Sequence, residues 1–181
     1  MRYINLAPIV ILLALILACA EKSFADNTYK SEHGFEIDYP EGWHLATFMD
    51  IYKTLREAER VGGNFFRITS YPADDARSEG THMFSRDTLR VDGWVYPRYK
   101  GTLGQLITQT KNVTKLENFM IDGKKAKKVW RKTEGGSSLG DDEVLSIYFV
   151  DEGKKVIFIC YPSYSSLGGK CDEIVGSFRF E

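Results

Sequence analysis

The chain has no apolar run long enough to be a comfortable membrane span, no surplus of charge of either sign, and no spaced set of metal-binding side chains. Each absence closes off a class. Crossing ~30 Å of hydrocarbon takes ~20 apolar residues, and the one long apolar run, residues 6–18 broken only by Pro8, falls short of that. With 24 Lys and Arg against 25 Asp and Glu, no basic footprint for nucleic acid exists. Apolar and charged fractions of 43% and 27% are those of an ordinary soluble globular protein, which sets aside disordered, collagen-like and multi-span membrane chains. Histidine is confined to His33, His44 and His82, whose spacing fits no metal site even with Glu36 or Asp38 added, so turn or solvent-facing histidines are the better reading. The letters Gly-x-Ser-x-Gly occur at 136–140, but inside a Gly-, Ser- and Asp-rich stretch and not between a strand and a helix, so no nucleophile elbow is indicated. The glycine pairs 62–63, 135–136 and 168–169 lack the Lys-Ser/Thr that follows a phosphate loop, so they read as turns. No catalytic residue, metal or cofactor is indicated.

What the chain does have begins with its first residues. Arg2 followed by the apolar run has the plan of an export signal, and the run ends Ile16, Leu17, Ala18, Cys19. That ending resembles the bacterial lipobox, in which an aliphatic residue at −3 and a small one at −1 precede a cysteine that becomes diacylated. Leu17 departs from the usual small or β-branched residue at −2. The expected organisation is a lipoprotein-type signal peptide at 1–18, lipidation at Cys19, a polar tether at 19–30 and one domain at 31–181. The protein is then anchored through Cys19 in the cell envelope, facing the periplasm or exterior. Cleavage after Ala25, or after Ala20, is the competing reading and gives a soluble periplasmic or secreted protein. Loss of residues 1–18 removes only Arg2 and moves the net charge from −1 to −2.

With Cys19 committed to lipid, Cys160 and Cys171 remain as an even pair in a disulfide-permissive compartment, and a bond between them is expected. Two buried thiols are the alternative; a metal site would need further ligands nearby, and none is present.

Along the domain, Phe35, Ile37 and Tyr39 alternate with acidic residues as in a half-buried strand, stopped by a turn at 40–42 before Trp43 opens another strand. Near-helical spacing of Ile51, Leu55, Ala58 and Val61 suggests a short helix over 50–61. Residues 64–71 read as a strand, and 73–99 as charged and irregular, anchored by Trp94 and Tyr96. Leu103, Leu106, Ile107 and Thr110 form the inner stripe of a short helix. Strands over 116–121 and 126–133 turn at Asp122-Gly123, a mobile loop follows at 134–143, and 144–150 and 155–161 make a second hairpin. The unbroken run Val156 to Ile159 suggests a central strand buried on both faces. Tyr164, Leu167, Cys171, Ile174 and Val175 sit at helical spacing, and 177–180 is a last strand-like segment. Phe35, Ile37, Trp43, Trp130, Phe158, Ile174 and Phe178 should share one core. The lysines at 124, 125, 127 and 128 read as a solvated hairpin edge protected from aggregation.

The start Gly34, Phe35, Ile37, Tyr39-Pro40, Gly42-Trp43 and the ending Ile174, Val175, Gly176, Ser177, Phe178, Arg179, Phe180 resemble the PsbP-like family, which includes a lumenal photosystem II subunit and many bacterial lipoproteins. The resemblance implies an α+β fold, a central antiparallel sheet flanked by helices in an α-β-α sandwich, shared with the Mog family of Ran-binding proteins. The two matching ends are structural, with no catalytic motif. The resemblance and the absences together point to a non-catalytic envelope lipoprotein that binds a protein or small ligand as an assembly module. A small hydrolase or metal-dependent enzyme with an unidentified site is the alternative.

Overall fold

The computed structural model describes residues 27–47, 64–71, 87–132, 143–161 and 165–181. In chain order the elements are β1 (Asn27–Ser31), β2 (Phe35–Tyr39), β3 (His44–Thr47), β4 (Asn64–Thr69), β5 (Arg90–Tyr96), α1 (Leu103–Thr108), β6 (Val113–Ile121), β7 (Lys124–Lys132), β8 (Glu143–Asp151), β9 (Lys154–Tyr161), α2 (Gly168–Gly176) and β10 (Arg179–Phe180). The strands form two antiparallel sheets, a larger one in the order β3-β4-β5-β9-β8-β7-β6 and a smaller one in the order β1-β2-β10.

Local chemistry explains the hairpins. Both β6–β7 and β8–β9 turn through two residues in the left-handed region, Asp122 and Gly123 (φ 48° and 68°) and Glu152 and Gly153 (φ 46° and 76°). That geometry matches the twist of the flanking strands and favours glycine at the second position. Gly93 serves a different end. It lies opposite Phe66 in the β4–β5 ladder, and a Cβ there would run into the Phe66 ring, so the missing side chain makes room for an aromatic one.

Alternation along each strand divides the larger sheet into two faces. One carries Phe66, Ile68, Val91, Val156, Phe158, Ile147 and Phe149, all buried, and the smaller sheet and α2 cover it. Phe178 sits at the centre of that layer, its ring 5.4 Å from those of both Phe35 and Phe158 and 5.1 Å from that of Phe180. Helix α2 contributes Cys171, Ile174 and Val175. Ser177 then ties the helix end to the small sheet: its hydroxyl accepts from the Asp38 backbone N–H at 2.9 Å and donates to the Ile174 carbonyl at 2.7 Å. Of the expected core, Phe35, Ile37, Phe158, Ile174 and Phe178 are buried together, with Trp43 and Trp130 partly buried against them.

The expected α+β class and its α-β-α sandwich are corrected. Among the described residues ten strands stand beside two short helices, so the fold is mostly β. The physical reason lies in what covers the apolar face. A second sheet, closed when β10 pairs with β2, shares that work with α2, while α1 is only six residues long and buries none of them. Other details change as well. Residues 90–96, taken as part of an irregular stretch, form a strand in the middle of the larger sheet. β9 is central as expected, but Ile157 and Ile159 are only half-buried, and β8 is the strand covered on both sides. The lysine-rich strand β7 is not an edge, because β6 lies outside it. β1 takes in residues 27–30, which the sequence alone assigns to the tether. The helix over 50–61, the loop at 134–142, Cys19 and Ala25 lie outside the described residues.

Candidate functional site

The second face of the larger sheet differs in kind. Arg67 on β4, Asp92 on β5, Ile159 on β9 and Ser146 on β8 are successive cross-strand partners, and in the next rung Arg90 faces Tyr161. Asp92 is 1% exposed and takes both neighbouring guanidiniums. Arg67 donates through Nε at 2.6 Å and Nη2 at 3.1 Å, and Arg90 through Nη2 at 2.7 Å and Nε at 3.0 Å. One buried carboxylate thus satisfies two cations, the arrangement in which a buried charge is tolerable. The Arg90 guanidinium also lies over the Tyr161 ring at 4.8 Å. Burial pushes the Tyr161 hydroxyl upward, and Asp92 adds to the effect. Burial likewise raises Tyr71. Arg90 acts on the Tyr71 hydroxyl electrostatically, yet that oxygen is buried without completing a hydrogen bond, as is Ser146 Oγ.

Beside this network, where β7 and β8 run under the end of α1, the surface opens into a groove of about 590 Å³. Val144, Tyr148 and Arg131 line it from the sheet; Leu106, Gln109 and Thr110 line it from α1 and the turn after it, with Lys111, Asn112 and Lys132 completing the lining. Helix α1 is fixed there by a capping box, Thr102 Oγ1 accepting from the Gln105 N–H at 3.2 Å while Gln105 Oε1 accepts from the Thr102 N–H at 2.8 Å. Lys132 N–H donates to the Asn112 carbonyl at 3.0 Å and holds the rim to the strand. Arg131 Nε is buried with no hydrogen-bond partner.

A third feature is strand β6, which among the described strands has no neighbour on its outer side. It carries three exposed large apolar side chains, Val113, Leu116 and Met120. Leu116 and Met120 lie on the same face at a spacing of four residues along the strand.

The residues singled out from sequence are spread rather than gathered. Cys160 and Cys171 are joined in a disulfide with Cα atoms 6.4 Å apart, clipping β9 to α2. His33 stands exposed in the β1–β2 turn with Nε2 3.7 Å from Glu32, and His44 is on β3 in the other sheet. His82 lies outside the described residues. Glu36 and Asp38 belong to an ion-pair lattice on the outside of the small sheet. Lys30 and Arg179 both bind Glu36, and Arg179 reaches Asp38 at 3.1 Å. The hydrogen bond from Lys30 above all, with Arg179, holds the Glu36 carboxyl below its ordinary value against the opposing effect of burial. Among the described residues no group of three His, Cys, Asp or Glu could hold a metal ion. The lysine-rich strand is engaged rather than simply solvated: Lys128 pairs with Asp172 at 2.6 Å and lies over Phe119, Lys124 pairs with Asp151 at 2.6 Å, and Lys127 donates to Asn118. The sequence reading missed Arg67, Arg90, Asp92, Arg131 and Tyr161. For Arg67, Arg90 and Asp92 the signal was the alternation of charged with apolar residues over 65–68 and 90–95; Arg131 and Tyr161 gave none.

No protein-family model matches this sequence, and no curated protein matches it significantly. Among solved structures, the chain is similar to the solution structure of cyanobacterial PsbP (CyanoP) from Synechocystis sp. PCC 6803, with a TM-score of 0.50 and 14% identity over 90% of this chain and 96% of that one. It is also matched to a crystal structure from Bacteroides thetaiotaomicron VPI-5482, with a TM-score of 0.45 and 13% identity over 85% of this chain and 48% of that one. The chain has a PsbP-like fold.

Proposed function

We propose that the protein is a non-catalytic binding or assembly module of the cell envelope, tethered through lipid on Cys19 and docking a protein partner along β6. The observation that carries this is the unpaired edge of β6 with Val113, Leu116 and Met120 exposed. A long edge strand with open hydrogen-bonding groups and apolar side chains is the surface to which another strand adds. Lys125 and Lys127, on the strand beside β6, favour a partner strand carrying acidic residues. On the sheet face, Asp92 is held by Arg67 and Arg90 in a structural ion-pair network.

The test is crosslinking in native membranes followed by capture, comparing wild type with a Leu116→Lys/Met120→Lys double variant. The expected result is one crosslinked species lost in the variant while the fold is retained; equal capture of that species by both proteins rejects β6 as the docking edge. Tethering is tested separately. Cys19→Ser should move the protein from membrane to soluble fraction, and a wild-type protein that is already soluble with a mature N-terminus at Asp26 rejects the anchor.

A further inference from the structure

We infer that the groove between α1 and the β7–β8 strands binds a small amphiphilic anion, its carboxylate or phosphate head on Arg131 and its apolar body against Leu106, Val144 and Tyr148. Three facts converge on this. First, among the described residues the lining is cationic without an acidic member: Arg131, Lys111 and Lys132 are present, and no described Asp or Glu lines the groove. The nearest carboxylate along the ladder, Glu143 opposite Lys132, already accepts from Thr114 Oγ1 at 2.7 Å. Second, Arg131 Nε is buried with no partner, and among the described residues its guanidinium makes no ion pair. A buried guanidinium donor without an acceptor is costly, and a planar oxyanion is the acceptor that fits it best. Third, the groove has both character and size for a ligand. Val144 and Tyr148 are buried, Leu106 is half-buried, and about 590 Å³ lies within the range of small-molecule sites.

The contrast with Arg67 and Arg90 sharpens the argument. Those two arginines sit on the same sheet face and share Asp92. Arg131 is close enough to Tyr161 to act on it electrostatically but has no acidic partner among the described residues. The fold therefore supplies an internal counter-ion to two of the three arginines and leaves the third facing a groove. The head group can come from a free organic acid or from a lipid, and the chemistry at Arg131 is the same for both.

The experiment uses the full chain secreted as its Cys19→Ser form, labelled with ¹⁵N. Octanoate and octyl phosphate are titrated while the Arg131 Nε–H signal is followed, with inorganic phosphate as the control. Either amphiphile should shift that signal saturably, and Arg131→Gln should weaken binding about tenfold or more with the melting temperature unchanged or raised. Should Arg131→Gln not fold, Lys132→Gln, at an exposed rim position, is expected to weaken binding about threefold. Vesicles of phosphatidylglycerol in phosphatidylcholine form the other arm. Sedimentation lost in Arg131→Gln while octanoate and octyl phosphate are inert assigns the head group to a lipid, and saturable binding of the free amphiphiles assigns it to a soluble anion. The inference is overturned if the Arg131 signal does not move with either amphiphile up to about 10 mM and vesicles do not bind through Arg131. It is equally overturned if both variants bind as wild type does, or if inorganic phosphate binds as tightly as octyl phosphate.

Discussion

The two faces of the larger sheet are built by opposite rules. The face under the small sheet is mainly apolar and fills space with phenylalanine, so that Phe35, Phe66, Phe149, Phe158 and Phe178 interlock as tilted and edge-on pairs. The other face admits charge and neutralises it locally, with Asp92 placed between two arginines. Stability on the first face comes from area removed from water and from dense packing. On the second it depends on completing hydrogen bonds, and there the incomplete ones, at Tyr71, Ser146 and Arg131, are found. Function is therefore expected to gather on the second face and along its outer strand, while the first face is given over to holding the sheets together.

Substitutions can break that comparison, and the largest effect is expected on the aromatic face. Phe178→Ala removes a fully buried ring from the centre of the layer and should cost ~3–5 kcal/mol, measured by urea unfolding, close to the whole stability of an ordinary domain. An unchanged midpoint would mean that the small sheet is not needed to cover the larger one. Replacing both Cys160 and Cys171 by alanine should cost roughly 3 kcal/mol, since the bond closes a short loop at the edge of the same layer. Intact mass after non-reducing alkylation checks the starting point, because two alkylated thiols in the freshly isolated protein would contradict the bond.

On the polar face, Asp92→Asn keeps the shape and removes the charge, leaving Arg67 and Arg90 to share one neutral acceptor. A loss of about 2 kcal/mol is expected, smaller than for Phe178→Ala because both guanidiniums retain some contact with water. A loss equal to that of Phe178→Ala would erase the distinction between the faces.

The smallest effect is one of pH and concerns the outside of the small sheet. The Glu36 carboxyl is held below its ordinary value of 4.5, so at acid pH the unfolded chain binds a proton more readily than the folded one. The stabilisation is present above that value and is lost as pH falls through the lower folded-state value. Glu36→Gln should therefore flatten the acid limb of the stability profile by lowering neutral stability slightly while leaving stability at low pH as in wild type, and an unaltered acid limb would show that Lys30 and Arg179 do not hold the carboxylate in solution.

How far these faces were legible in the sequence follows from the same contrast. Phe35-x-Ile37 and Ser177-Phe178 announce the aromatic layer because an apolar stripe has a period, and the Asp-Gly turn announces its hairpin because few dipeptides accept that backbone. The expected pairing of Cys160 with Cys171 rests on arithmetic that needs no geometry. Residues 90–96 failed for the opposite reason. A strand whose outward positions are Arg90, Asp92 and Trp94 looks irregular when its charged residues are taken as exposed, and only the ladder to Arg67 shows that they are interior. Coverage of the core by a second sheet was hidden too, because β10 has two residues and no periodicity to detect. The unpaired state of Arg131 could not be read from any spacing, since it depends on which acids the fold brings near.

The pairing of β10 with β2 bears on the order of events during synthesis. Arg179 and Glu36, which face each other across that ladder, are 143 residues apart in the chain. Closing so long a loop is slow, and it cannot begin until residues 179–180 have emerged. Until then Phe35, Phe149 and Phe158 lack the Phe178 ring that packs against them, so a nascent or truncated chain presents a sticky aromatic surface to whatever surrounds it. A C-terminal deletion of even a few residues should thus be met first as aggregation or proteolysis, before any defect in binding could be scored.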